Sequence, residues 1–172
     1  MDNDKIQILK DITSKADVDA VVVYSPAWRK DNFRYLTREN FFGPYAIAAY
    51  FRKSEKIRLF FSSIWDKARI DGKLPNGIET SVLTSDWEGF QSIFVQEKVK
   101  TVGIAGNSFF PAKLASILAD VSIETINADG FIEKIRLRKT PDEVASLRAA
   151  VGLADKAFPV FIDSIRKGLN EF

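Results

Sequence analysis

The chain has 172 residues, 46% of them hydrophobic, and its 25 basic and 23 acidic side chains leave a formal net charge of +2. This length can bury one sizeable core but not two full domains, and the interspersed charges give no basic face that would bind nucleic acid. The chain contains no cysteine and no histidine, which excludes disulfides, thiolate metal sites and catalytic systems that need a histidine base.

The first residues are polar, and no apolar run approaches the roughly 18 residues that span a bilayer. The sequence therefore predicts neither a signal peptide nor a membrane partner. A chain without cysteine is compatible with a reducing compartment, and we expect a cytoplasmic protein.

The first half of the chain alternates helices and strands. The apolar pattern predicts helices over residues 4–15 and 63–70, and strands over residues 19–24, 45–51 and 56–61. The four residues between the last two strands suit an antiparallel hairpin. Residues 25–40 form a polar stretch, in which Pro26 is expected to break the first strand and a short helical turn carries Tyr35 and Leu36.

The second half continues the alternation. Strands are predicted over residues 78–83, 101–105 and 121–126, and helices over residues 87–99, 111–118 and 128–135. Six strands that combine an early hairpin with later β-α-β steps predict an α/β fold. We expect three layers, with a mixed, about six-stranded sheet covered by helices on both faces.

A further helix is predicted to begin near residue 140. Thr140 is a typical N-cap, Pro141 suits the first helical position, and Glu143 can complete a capping box. Beyond this start, apolar residues recur at spacings of three and four, which places them on one stripe: Val144, Leu147, Val151, Ala154, Phe158, Phe161 and Ile165. Pro159 lies inside the pattern and is expected to bend the helix or divide it into two.

Three segments carry a family resemblance. Residues 32–37 read Asn-Phe-Arg-Tyr-Leu-Thr and resemble an Asn-x-x-Tyr-Leu-Thr-Gly element, with Arg38 in place of the glycine. Val102-Gly103-Ile104 followed by residues 111–118 resembles a strand-to-helix step, and residues 136–143 resemble an Arg-x-x-Lys-(Ser/Thr)-x-x-Glu hinge. In this order, the segments resemble the N-terminal domain of the creatinase/prolidase family, which includes the Xaa-Pro aminopeptidases and dipeptidases.

The resemblance implies a ribonuclease-H-like domain over residues 1–138, followed at 139–172 by the hinge and the first helix of a catalytic domain. Enzymes of this family hold two divalent metal ions, such as Mn, Co or Zn, with aspartates, glutamates and a histidine of that catalytic domain. We therefore expect this chain to hold no metal and to have no peptidase activity of its own.

The function that the resemblance favours is that of a non-catalytic domain of a proline-specific metallopeptidase, with oligomerisation and substrate-access roles. Its partners would be its own catalytic domain and further copies of the chain, as in a dimer. Two alternatives remain: a free-standing ligand- or protein-binding module of the same fold, and the N-terminal domain of a creatinase-like amidinohydrolase.

An aromatic and basic cluster lies in the polar stretch after the first strand. Its members are Trp28, Arg29, Arg34, Tyr35, Arg38, Phe41 and Phe42. Core packing and ordinary surface charge explain most clusters of this kind, and contact with a subunit or a substrate explains the others. The resemblance implies that loops of this domain reach over a neighbouring subunit's active site. We therefore take Trp28, Arg29, Arg34, Tyr35 and Arg38 as candidate contact residues, with no catalytic and no metal-binding residue.

Overall fold

The computed structural model describes residues 3–75, 77–83, 87, 89–165 and 168. The helices of this part are α1 (Asn3–Ala16), α2 (Asp31–Thr37), α3 (Ile64–Asp71), α4 (Phe90–Gln96), α5 (Ala112–Asp120), α6 (Asp129–Leu137) and α7 (Pro141–Ser164), with a 3-10 turn at Asn107–Phe109. The strands are β1 (Ala20–Pro26), β2 (Tyr45–Phe51), β3 (Ile57–Phe61), β4 (Ile78–Val82), β5 (Thr101–Ala105) and β6 (Glu124–Asn127).

The strands form one mixed sheet in the order β4-β3-β2-β1-β5-β6. β1, β2 and β3 are antiparallel neighbours, and the β2–β3 hairpin is the one expected from the sequence. The pairs β3–β4, β1–β5 and β5–β6 are parallel, as the later crossover connections require. The predicted mixed, six-stranded sheet is confirmed for the described residues.

Two apolar layers cover the sheet, because successive side chains of a strand point to opposite faces. In β1, Val22 and Tyr24 belong to one core cluster, whereas Val21 and Val23 belong to the other. The first cluster is completed by residues of α4 and α5, namely Phe90, Phe94, Leu114 and Leu118. The second is completed by residues of α1, α2, α3 and α6, namely Leu9, Ile12, Phe33, Leu36, Ile70 and Ile132. The predicted three-layer arrangement is therefore confirmed.

Several boundaries differ from the sequence prediction, and β6, expected over residues 121–126, spans Glu124–Asn127. The helix expected over residues 87–99 spans only Phe90–Gln96, because Trp87 and Lys98 adopt left-handed backbone conformations with φ values of 60° and 56°. Residues 84–86 and 88 lie outside the described part. In addition, β1 continues through Pro26, which pairs with Tyr45. The parallel ladder to β5 ends at Val23, so a proline three positions later removes no hydrogen bond from that ladder.

The chain divides into two compact units, residues 1–135 and 136–172. The division lies close to the predicted domain boundary at residue 138, and the assignment of residues 139–172 to a catalytic domain stays a prediction. In the second unit, α7 begins with the predicted capping box: Glu143 N–H donates to Thr140 Oγ1 (3.2 Å), and Thr140 N–H donates to Glu143 Oε2 (3.0 Å). The helix continues through Pro159, so of the two effects expected there, a bend or a division, the division into two helices does not occur.

The described residues include no helix that is both long and apolar enough to cross a bilayer.

Candidate functional site

The five predicted contact residues lie in the segment that follows β1: Trp28 and Arg29 precede α2, Arg34 and Tyr35 lie on it, and Arg38 follows its last residue. Trp28 and Arg29 follow the strand and are largely exposed, with 74% of Trp28 accessible. Arg34 and Arg38 are exposed, and Tyr35 is half-buried and packs against the second core cluster. The structure therefore places all five in one short segment but does not direct them toward one common site.

Arg29 borders a polar cavity of about 160 Å³ at the carboxyl ends of β1, β5 and β6. Its guanidinium lies 3.7 Å from Asp31 and 5.4 Å from the centre of the Phe109 ring. The cavity is lined by Tyr24, Arg29, Asp31, Asn32, Gly106, Ser108, Phe109, Asp129 and Glu133. Burial raises the pKa of Tyr24 above its ordinary value.

A second and larger cavity of about 350 Å³, here called the aromatic cleft, lies between the β1–β2 connection and the start of α3. Its lining consists of Phe42, Gly43, Pro44, Ser63, Trp65, Asp66 and Arg69. Phe42 and Trp65 are 74% and 83% exposed, which is unusual for side chains of this size. Trp28, Arg34, Tyr35 and Arg38 line neither of these two cavities.

The wall that carries Phe42 is residues 39–44, here called the cleft loop. Asp66 holds this loop through its main chain: the carboxylate accepts hydrogen bonds from Phe42 N–H (3.0 and 3.1 Å) and Gly43 N–H (2.7 Å). Asp66 is 2% exposed. Because a buried carboxylate is costly unless it is hydrogen-bonded, these amides are essential partners of the charge.

Two cations hold the same loop. Lys30 Nζ donates to the carbonyl of Phe41 (2.6 Å) and lies 5.7 Å from the centre of the Phe42 ring. Arg69 Nη2 donates to the carbonyl of Asn40, and its guanidinium lies 5.3 Å from the centre of the Phe42 ring. The Phe42 ring therefore lies near two positive charges, a geometry in which cations and aromatic rings attract each other.

Arg69 is partly neutralised by its neighbours. Its Nη1 lies 3.6 Å from Glu39 Oε2, and its Nη2 lies 3.7 Å from Asp66 Oδ1. The cleft thus offers two apolar rings, a cation and buried hydrogen-bonding groups. Among the described residues, no group of three or more acidic side chains could hold a metal ion. This chemistry suits the binding of an apolar group and assigns no catalytic step to these residues.

Sequence reasoning missed Gly43, Trp65, Asp66 and Arg69 as members of the site. Asp66 is the third residue of α3 after the Ser63 cap, a position where an acidic residue ordinarily serves its own helix. Its partners lie 23 and 24 residues earlier, and no local pattern indicates that distance. The one available signal was Trp65, a large aromatic residue in the first turn of a short helix.

Similar proteins are Xaa-Pro dipeptidases. A 47-residue stretch, 27% of this chain, is 45% identical to 13% of the Xaa-Pro dipeptidase of Lactobacillus helveticus. The Xaa-Pro dipeptidase from Bacillus anthracis matches 98% of this chain with a TM-score of 0.76 at 19% identity. The Creatine_N superfamily domain of a dipeptidase from Streptococcus thermophilus matches 76% of this chain and 97% of its own length, with a TM-score of 0.57 at 14% identity. The chain has the fold of a creatinase/prolidase N-terminal domain.

No profile of a known protein family matches the chain. The chain spans 45% of the length of the Bacillus anthracis enzyme, so it corresponds to less than half of such a peptidase. The family resemblance read from the three sequence segments is confirmed.

The creatinase/prolidase motif also explains the backbone at Arg38. The motif has glycine here, and Arg38 adopts the left-handed conformation that favours glycine, with φ 61°, at the C-terminal end of α2. Its N–H donates to the carbonyl of Arg34 (2.8 Å). Arg38 therefore keeps the left-handed backbone at the end of α2 that glycine would adopt freely. The unfavourable φ of an arginine there costs about 1 kcal/mol of stability.

Proposed function

We propose that the chain is the non-catalytic N-terminal domain of a proline-specific metallopeptidase of the Xaa-Pro dipeptidase or aminopeptidase class. The observation that carries this proposal is the match of 98% of the chain to 45% of an Xaa-Pro dipeptidase. The 47-residue stretch of 45% identity supports the same class of parent enzyme. The parent would be a cytoplasmic hydrolase.

The chemistry of hydrolysis would belong to the remainder of the parent enzyme. This chain has no histidine, and its described residues offer no acidic cluster for metal. Two divalent metal ions, Mn, Co or Zn, would lie in the catalytic domain, which is the first proposed partner of this domain. The second proposed partner is another copy of the chain, in a dimer or larger homo-oligomer.

The domain would contribute to substrate access through the aromatic cleft. Phe42 and Trp65 expose flat rings on which an apolar side chain or a proline ring can pack. Arg69 and Lys30 lie close to the Phe42 ring and would attract the terminal carboxylate of a peptide. A peptide that extends past the cleft would meet the cleft loop, so this wall would limit substrate length.

The test measures hydrolysis of Ala-Pro and of a tripeptide that starts with Ala-Pro by the full-length protein that carries this domain. Phe42→Ala and Trp65→Ala should each change the ratio of the two kcat/KM values by about tenfold, within the range that one apolar contact contributes to discrimination. Trp28→Ala is the matched control, because Trp28 is similarly exposed but lies outside the cleft.

Unchanged ratios in both cleft variants would contradict the access role. The same ratio shift in Trp28→Ala would instead favour the segment that the sequence indicated. The 172-residue chain alone, supplied with Mn, Co or Zn, is expected to hydrolyse neither peptide, and metal-dependent cleavage that co-purifies with it would contradict the non-catalytic assignment.

A further inference from the structure

Asp66 lies in the first turn of α3, but its hydrogen-bond partners lie in the cleft loop. An acidic residue three places after a helix cap usually accepts from the cap's own N–H. In α3 the cap is Ser63, whose hydroxyl accepts from Trp65 N–H, while Asp66 reaches the cleft loop and accepts from Phe42 and Gly43. The side chain of Asp66 is 3% exposed, so these charge-assisted bonds are shielded from water and are the stronger for it.

Gly43 is the partner that permits this close approach. A Cβ atom at Gly43 would lie 2.5 Å from Ser62 Oγ, 3.1 Å from Asp66 Oδ2 and 3.3 Å from Ser63 Cβ. Ser62 cannot easily move away, because its hydroxyl donates to the carbonyl of Tyr45 (2.9 Å). Any side chain at residue 43 would therefore displace the loop from α3.

The two walls of the aromatic cleft are joined at this point. Phe42 is adjacent to Gly43 on the cleft loop, and Trp65 is adjacent to Asp66 on α3. The hydrogen bonds from the Phe42 and Gly43 amides to Asp66 thus join the loop that carries the Phe42 ring to the helical turn that carries the Trp65 ring. A change in these bonds would change the separation of the rings directly.

We propose that Asp66 and Gly43 are a positioning pair that fixes the width of the aromatic cleft. The cleft loop is then a preformed rigid wall and not a lid that closes on its ligand. As regards the ligand of the cleft, this inference rests on the proposed function: a fixed width would select peptide substrates by shape. Asp66 itself touches no substrate and acts through Phe42 and Trp65.

The experiment compares amide hydrogen exchange in the 172-residue chain and in its Asp66→Asn and Gly43→Ala variants. Loss of a charge-assisted bond is expected to accelerate exchange at Phe42 and Gly43 by about 10- to 100-fold. Amides of β2 and α1 should be unchanged. Asp71→Asn is the matched control, because Asp71 lies on the same helix but is exposed and bonds to Lys67 and Thr80.

Gly43→Ala provides a second route, since it leaves the buried carboxylate in place and remains informative if Asp66→Asn fails to fold. Amides of residues 42 and 43 that exchange at the wild-type rate in the folded variants would overturn the positioning pair. So would equal acceleration across β2, because it would show general destabilisation.

A kinetic measurement separates this inference from the proposed function. In the full-length protein, Asp66→Asn should change the ratio of the dipeptide and tripeptide KM values by more than it changes the ratio of their kcat values, a split that a merely structural role would not produce. Accelerated amides with an unchanged KM ratio would overturn the link to peptide selection and remove the support for the access role. The positioning of the loop by Asp66 would then still stand on the exchange data.

Discussion

The sheet domain of residues 1–135 buries most of its large apolar side chains, whereas the helix α7 exposes side chains of the same types. In the sheet domain, Phe60 and Phe90 are 0% exposed, and their ring centres lie 5.4 Å apart. In α7, Phe158 and Phe161 are 64% and 60% exposed, although they belong to an apolar stripe at helical spacing. Periodicity thus identifies the face that requires a partner, but it does not show whether the described chain supplies one.

The largest expected difference between the two regions is in the free energy of unfolding after a buried or an exposed phenylalanine is replaced by alanine. Phe60→Ala leaves a cavity in the core and should lower the free energy of unfolding by about 3–5 kcal/mol. Phe158→Ala removes an exposed ring and should change it by less than about 0.5 kcal/mol. Urea unfolding of both variants, followed by circular dichroism, measures the difference. A comparable loss in Phe158→Ala would show that α7 belongs to the same cooperative core.

A rise to alkaline pH should also lower the free energy of unfolding of the sheet domain, by less than Phe60→Ala does. Tyr45 is 9% exposed and its hydroxyl donates to the carbonyl of Leu83 (3.0 Å). Burial, and then the nearby Tyr24, raise the pKa of Tyr45 to about 12, above the value near 10 of an unfolded tyrosine. The folded state therefore holds the proton more tightly, so this stabilisation is complete below pH ~10 and is lost as pH rises toward ~12.

This loss should amount to roughly 2–3 kcal/mol for the shift at Tyr45. The free energy of unfolding, measured between pH ~9 and ~12, should fall more steeply in the wild type than in Tyr45→Phe. Tyr35→Phe serves as the control for general alkaline effects. Equal slopes in the wild type and Tyr45→Phe would contradict the prediction. The sequence of α7 contains no tyrosine, so its helicity offers an internal reference.

The sequence predicted the fold well because strand and helix periods are local properties. The two-faced alternation of β1 and the capping box at Thr140 both follow from residues a few positions apart. The errors occurred where single backbone conformations decide the outcome, as with the left-handed Lys98 that ends α4 before Val99. No residue preference predicts a left-handed lysine.

The candidate site was less predictable, since it depends on contacts between distant segments. The aromatic and basic composition drew attention to residues 28–42, which contain Phe42 but also Trp28 and Arg34, outside the cleft. The cleft needs α3 beside this segment, and that neighbourhood arises only when β2 and β3 pair. A buried aspartate such as Asp66 is indistinguishable in sequence from an exposed one.

The smallest expected effect is that of removing α7. A chain of residues 1–138 should unfold cooperatively, with a free energy of unfolding within about 0.5 kcal/mol of the 172-residue chain. The core clusters of the sheet are composed of residues up to Ile135, and the large apolar residues of α7 from Leu147 onward are exposed.

Thermal and urea unfolding of both lengths, together with limited proteolysis, measure this effect. The cleft loop offers the sharpest local check: its Phe42 and Gly43 amides depend on Asp66, which both lengths contain, so their exchange rates should agree. A molten, protease-sensitive product would show that residues after 138 stabilise the sheet domain. Since the core of the sheet domain is already closed by its own six helices within the described residues, the shorter chain should keep both its fold and its cleft.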